Sequence, residues 1–391
     1  MANNITFVEN QFGLMGPLPG QDYVSGYAHY LPSPTYSLPN GFTVSNIQEV
    51  FSITDLQNLG ITQTQNENGI IWYNVNEFFR MQPQGSLYVG LFTTGSATGY
   101  SDLQSLQNKA QGSIRQTLVY ESLPFATGNV TLLQTQANTL SLTNYMPTEL
   151  FYQANFKGLT LSTFTDLSTL TAQNVSVLIG QDGAGAGATL ATSVGKTVGC
   201  GGTFLGSNAL AAVEESVANP YKFNVDSGTE FDTLAFATGD AYSTQTIGLI
   251  NQLDTQRYVF PKKLVGLNGS FWNNPYTATT PTSSLSFVFR NRAIHKAERN
   301  LRTVMTPQLA SNIYFNADGT INFGTIKYWE TLCESQLSVM VQNGELSSYS
   351  VYIDPSQRTL STNTLTINVE LLPVGVANNI VINIGFVNLL S

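Results

Sequence analysis

Charge is scarce in this chain. Asp, Glu, Lys and Arg make up 10% of its 391 residues, against about a quarter in an ordinary soluble domain. Asn, Gln, Ser and Thr must supply the polar surface instead. Copies of such a protein repel one another weakly, which suits a chain that packs against itself. A net charge of −9 and a pI near 4.7 argue against nucleic-acid binding, which needs a basic footprint. Histidine and cysteine are rarer still, at two each. Two cysteines about 130 residues apart, Cys200 and Cys333, give no disulfide framework and fit a reducing cytosol. Two histidines and two distant cysteines supply no cluster of metal ligands. No stretch approaches the ~20 apolar residues of a membrane helix. Met1-Ala2-Asn3-Asn4 opens no signal-peptide pattern, having neither a basic region nor an apolar run behind it.

Motifs that could carry catalysis fail on inspection. Gly183-Ala184-Gly185-Ala186-Gly187-Ala188 nominally fits a GxGxxA dinucleotide fingerprint, which needs a helix opening on the glycines and an acid about 20 residues later. Gln181 and Asp182 intervene after the preceding strand, and the next acids are Glu214 and Glu215, so the segment reads as a mobile surface loop. Gly195-Lys196-Thr197 resembles the end of a P-loop, but Leu190 stands where its first glycine belongs. Cys200 with His295 could form a nucleophile and base, yet Val198-Gly199-Cys200-Gly201-Gly202 is a packing context. No cofactor and no enzymatic activity are expected.

The clearest positive signals are in the last hundred residues. The basic side chains Arg290, Arg292, Lys296, Arg299 and Arg302 are five of the 16 in the chain. At helical spacing Arg292, His295, Lys296, Arg299 and Arg302 share one face, with Ile294, Ala297, Leu301, Val304 and Met305 opposite. After the turn Asn316-Ala317-Asp318-Gly319, the residues Ile326, Trp329, Cys333, Leu337 and Met340 make the buried stripe of a second helix. Asn343-Gly344 stops it. Strands then follow near Val351–Ile353, at Thr364–Leu371, and at Asn379–Leu389, whose Ile380, Ile382, Ile384 and Phe386 lie on one face.

Upstream, Pro17, Pro19, Pro32, Pro34 and Pro39 make the start of the chain an extended segment with little core of its own. A helix is expected over 46–59, strands near 71–73 and 87–92 around a short helix, then strands and helices in alternation. That pattern is an α/β domain. Pro275 to Ser286, rich in Thr, Ser and Pro, is the expected boundary with the C-terminal domain.

The runs Asn343-Gly344-Glu345-Leu346-Ser347, Tyr352-Ile353-Asp354-Pro355-Ser356-Gln357, Leu372-Pro373-Val374-Gly375-Val376-Ala377 and Ile382-Asn383-Ile384-Gly385-Phe386 resemble the C-terminal domain of contractile tail sheath proteins. They are most similar to a branch from phages and phage-like injection systems of Bacteroidetes-type bacteria. Glu77-Phe78-Phe79-Arg80, Gly85-Ser86-Leu87-Tyr88 and Arg257-Tyr258-Val259-Phe260 extend the resemblance upstream. It implies an α/β and α+β multidomain chain: an extended arm (1–40), an outer α/β domain (41–285), an inner C-terminal domain (286–378) and a second arm (379–391).

It also implies a structural subunit that polymerises as stacked hexameric rings around an inner tube and contracts to drive that tube through a target envelope. The implied partners are further copies of the chain, the tube protein, and baseplate and terminator proteins, with neither nucleic acid nor membrane. The implied location is a virion tail or an injection particle assembled in the bacterial cytoplasm. On this resemblance Arg292, His295, Lys296, Arg299 and Arg302 would face the tube. Ile5, Phe7, Ile380, Ile382, Ile384 and Phe386 would add strands to neighbouring subunits. The alternatives are a non-contractile sheath-like ring or cap, and a nucleotide-binding enzyme using the Gly183 segment.

Overall fold

Seven residues without proline, between Pro19 and Pro32, form the centre of the sheet. The computed structural model describes residues 22–31, 42, 46–93, 95–378 and 380–382. Within it Ser25–Leu31 (β1) is buried along its whole length and lies between two parallel neighbours, Leu87–Thr93 (β3) and Gln116–Pro124 (β4). The proline spacing had assigned these residues to an arm without a core. The prolines flank the strand without entering it, and Tyr27, Ala28, Tyr30 and Leu31 fill both faces of the sheet.

The full order is β2–β3–β1–β4–β5–β6, where β2 is Ile47–Val50, β5 is Glu149–Asn155 and β6 is Val175–Val177. All neighbours are parallel except the edge strand β2. Parallel strands require cover on both faces, and successive side chains supply it. Tyr27, Leu118, Tyr120 and Phe151 pack toward the helices Glu67–Met81 and Gly201–Leu210. Ala28, Tyr30, Val119, Leu150 and Tyr152 pack toward Asp102–Lys109 and Thr127–Asn138. The first pair of helices touch backbone to backbone. Gly202 N–H donates to Asn74 Oδ1 at 2.9 Å, and no side chain would fit between them.

Two expected elements differ. The helix over 46–59 is instead β2 followed by the short helix Ile53–Asn58, capped by Ser52, whose Oγ accepts from Asp55 N. Ile71-Trp72-Tyr73 are helical, inside Glu67–Met81. A helix buried on several sides uses the same β-branched and aromatic residues as a strand, so burial outweighs local preference.

The C-terminal part has its own small core. The helix Val288–Met305 crosses the helix Phe323–Gln342, and both pack on a two-stranded antiparallel sheet of Leu346–Tyr352 (β7) and Asn368–Pro373 (β8). Ala293, Ala297, Leu337, Met340 and Leu346 form one buried cluster; Ile321, Ile326, Trp329 and Ile353 form another. The helix ends as expected: Gly344 adopts a φ of 78°, and Glu345 N–H donates to Met340 O at 2.8 Å. No described helix is long and apolar enough to cross a membrane.

Candidate assembly interface

The basic face of Val288–Met305 turns inward onto its own chain. Arg292 is 3% exposed and donates to Ala211 O at 3.1 Å and Ala212 O at 3.2 Å. It thereby meets the negative end of the Gly201–Leu210 helix. Asn291 donates to Glu149 Oε2 and to Gln173 O. His295 Nδ1 lies 3.5 Å from Glu149 Oε1, with Asn174 Nδ2 3.3 Å from its Nε2. Lys296 Nζ reaches Asp22 at 2.9 Å and Glu345 at 2.5 Å, and Arg299 reaches Asp22 at 2.8 Å. The Arg302 guanidinium sits 3.6 Å from the Tyr145 ring centroid.

Burial and pairing set the charge states in this seam. Burial raises the Asp22 carboxyl, but Arg299 and Lys296 outweigh it and hold the group below its ordinary value. Burial lowers Lys296, and Asp22 and Glu345 more than restore it. Burial, with Arg299 nearby, pushes His295 down to about 3, while burial pushes Glu149 up to about 7. The imidazole is therefore uncharged at neutral pH, and its contact with Glu149 is polar rather than ionic.

Arg292, His295, Lys296, Arg299 and Arg302, the residues expected to face a tube, thus each meet groups of their own chain. Helical spacing shows that charges share a face; it does not show whether water or the chain's own acids meet them. The acid for Lys296 and Arg299 is Asp22, 274 and 277 residues away. Asp22, Glu149 and Glu345 had no signal of their own, because an isolated acid carries no pattern.

The β7–β8 sheet has open edges: both strands lack an outer neighbour among the described residues. One face is half-buried through Tyr349, Val351, Val369 and Leu371, while Tyr352 and Leu372 are exposed. A two-stranded sheet is marginal alone, and its open edges are templates for pairing. Past Pro373 the side chains of Ile380, Val381 and Ile382 are exposed and in no strand. Ile5, Phe7, Ile384 and Phe386 lie outside the described residues.

The Gly183 segment is packed rather than free. Gly185 and Ala188 N–H donate to Asp182 Oδ2, and Ala186 and Gly187 N–H donate to Glu230. Two of the chain's own carboxylates thus occupy the start of the helix Ala186–Val194, where a dinucleotide phosphate would sit. A Cβ on Gly187 would come 2.5 Å from the Tyr73 hydroxyl. Cys200 is fully buried, and burial pushes its thiol up to about 12, which removes it as a nucleophile.

The family model described as DUF2586, C-terminal domain, matches residues 286–391. No curated protein matches the chain. Among solved structures, it is similar to the sheath complex of the PVC extracellular contractile injection system in its contracted state. That likeness has 14% identity, a TM-score of 0.64, and covers 98% of each chain. A chain in the baseplate structure of the anti-feeding prophage gives 12%, 0.60, and 98% and 99% coverage. The sheath tail protein of Desulfitobacterium hafniense gives 8%, 0.54, and 94% and 100%. From the central strand to the C-terminal hairpin, the chain has the fold of contractile sheath proteins.

Proposed function

We propose that this protein is a structural subunit of a contractile tail sheath, in a phage tail or a phage-like injection particle. In this reading it polymerises as stacked six-membered rings around an inner tube. Shortening of the sheath then drives the tube through a target envelope, with no covalent chemistry. One observation carries the reading: the likeness to sheath structures spans nearly all of both chains. The open edges of β7 and β8 support it, since they need strands from outside the described fold. Ile380 and Ile382, with Ile384, Phe386, Ile5 and Phe7, are the residues we assign to pairing on neighbouring copies. The remaining partners would be a tube protein and the baseplate and terminator proteins at the tail ends. The buried Arg292 and the half-buried Lys296 and Arg299 are not assigned to the tube.

Negative-stain microscopy of the purified full chain tests this. Long helical tubes are the expected result. Isolated rings would favour a non-contractile ring or cap with the same fold. A monomer that forms neither, with and without a co-expressed tube protein, overturns the proposal.

A further inference from the structure

The sheet domain and the C-terminal module meet in part across charged groups. Three of these groups form a line. Asp22 lies three residues before β1 and is paired with Lys296 and Arg299. Lys296 is also paired with Glu345, the residue before β7, and Leu346 beyond it belongs to the buried cluster of the module. All four side chains are between 9% and 18% exposed, so water screens the pairs little. Glu345 Oε2 is buried without a hydrogen-bond partner, so losing Lys296 would strand its carboxylate. Arg292 and Asn291 also hold the module to the sheet domain, but they anchor the helix rather than the hairpin.

We infer that Asp22 is a positioning residue for the hairpin: through Lys296 and Glu345 it couples the chain entering β1 to the edges of β7 and β8 that have no neighbour among the described residues. A displacement of Asp22 shifts Lys296, and Lys296 shifts the start of β7. Coupling of this kind is reciprocal. It needs a connected set of paired groups, which the structure supplies, and it holds for the single chain whether or not the chain builds a sheath.

Amide hydrogen exchange on the full-length chain tests the inference. Asp22→Asn should speed exchange in β7 and β8 by about tenfold or more while the central strands β1 and β4 keep wild-type protection. Glu345→Gln should do the same, and the double variant should exceed either single one only slightly, because both break one relay. Asp22→Glu, which keeps the charge, should restore most of the hairpin's protection. Unchanged exchange in the hairpin of Asp22→Asn overturns the inference. So does equal loss of protection in β1 and β7, which is ordinary destabilisation, or a double variant whose effects multiply independently. Should Asp22→Asn fail to fold, Glu345→Gln gives the reciprocal readout: faster exchange of the Ser25 amide, at the very start of β1 where it donates to Ser86 O, with the rest of β1 unchanged, supports the relay, and no change there sinks it.

Discussion

The Arg257 guanidinium lies 4.4 Å from the centroid of the Tyr276 ring. From that position it donates to Thr277 O at 2.9 Å and to Ser286 O, and it faces the Phe287 ring at 5.4 Å. One buried cation thus gathers the segment that leads from the sheet domain into the Val288–Met305 helix. Burial lowers its pKa to about 10, which leaves it charged at neutral pH. Arg257→Met keeps the apolar stem and removes the donors. We expect a loss of about 2–4 kcal/mol, from two charge-assisted hydrogen bonds and the ring contact. New protease cleavage within 278–286 should accompany it. Urea unfolding and limited proteolysis measure both, and wild-type behaviour in both would refute the role.

Glu67 makes stability depend on acid. It accepts from Ser122, pairs with Lys196 at 2.8 Å, and faces His29 Nε2 at 3.1 Å. Burial alone would raise its pKa, but His29, Lys196 and Ser122 together lower it to about 2. A depressed carboxyl stabilises the folded state above its unfolded value, and that contribution disappears as pH falls through the folded one. The shift from 4.5 to about 2 corresponds to stabilisation on the order of 3 kcal/mol at neutral pH. Glu67→Gln should therefore be less stable at pH 7, and the gap should close between pH 4.5 and pH 2. Urea titrations across that window check this; a gap independent of pH would show that the charge is not what matters.

The Gly201–Leu210 helix approaches Glu67–Met81 so closely that a Cβ on Gly202 would lie 2.0 Å from Asn74 O. Backbone cannot yield as a flexible side chain does. Gly202→Ala is expected to cost about 3 kcal/mol, the upper end of the usual overpacking penalty. Gly128→Ala is the control, since nothing lies within 4 Å of that position. It should be neutral, or stabilising by about 0.5–1 kcal/mol within its helix. Equal urea midpoints for the two variants would mean that the helices can part without penalty.

These contacts show which parts of the molecule were legible in the sequence. The stripe Ile326, Trp329, Cys333, Leu337 and Met340 was readable because its period and its burial have one cause, a helix lying on a core. The small residues around Cys200 were readable for a similar reason, since only close packing asks for them. The strand Ser25–Leu31 was missed because proline spacing describes the flanks of a segment and not its interior. The basic helix was half read. Its face was right, but the acids that meet it come from Asp22, Glu149 and Glu345, and no local pattern links residues so far apart. The Gly183 segment misled because glycine signals freedom only where nothing packs on it, and here Asp182, Glu230 and Tyr73 do.

The final prediction concerns the end of the hairpin. Ile380, Val381 and Ile382 are 78%, 83% and 78% exposed, so they contribute little to the fold of their own chain. Burying such side chains elsewhere would be worth roughly 1.5–3 kcal/mol each. Leaving them in water, while β7 and β8 lack outer neighbours among the described residues, favours pairing with another copy. Removal of everything after Asn378 should therefore leave thermal unfolding of the single chain within a degree or two of wild type, a change of about 0.5 kcal/mol or less. The same truncation should abolish tubes in negative stain. If the shortened chain unfolds early or precipitates, residues after Asn378 belong to the core of their own subunit. If it still forms tubes, the open edges of β7 and β8 are completed by some other segment, and the assignment of Ile380 and Ile382 to neighbouring copies fails.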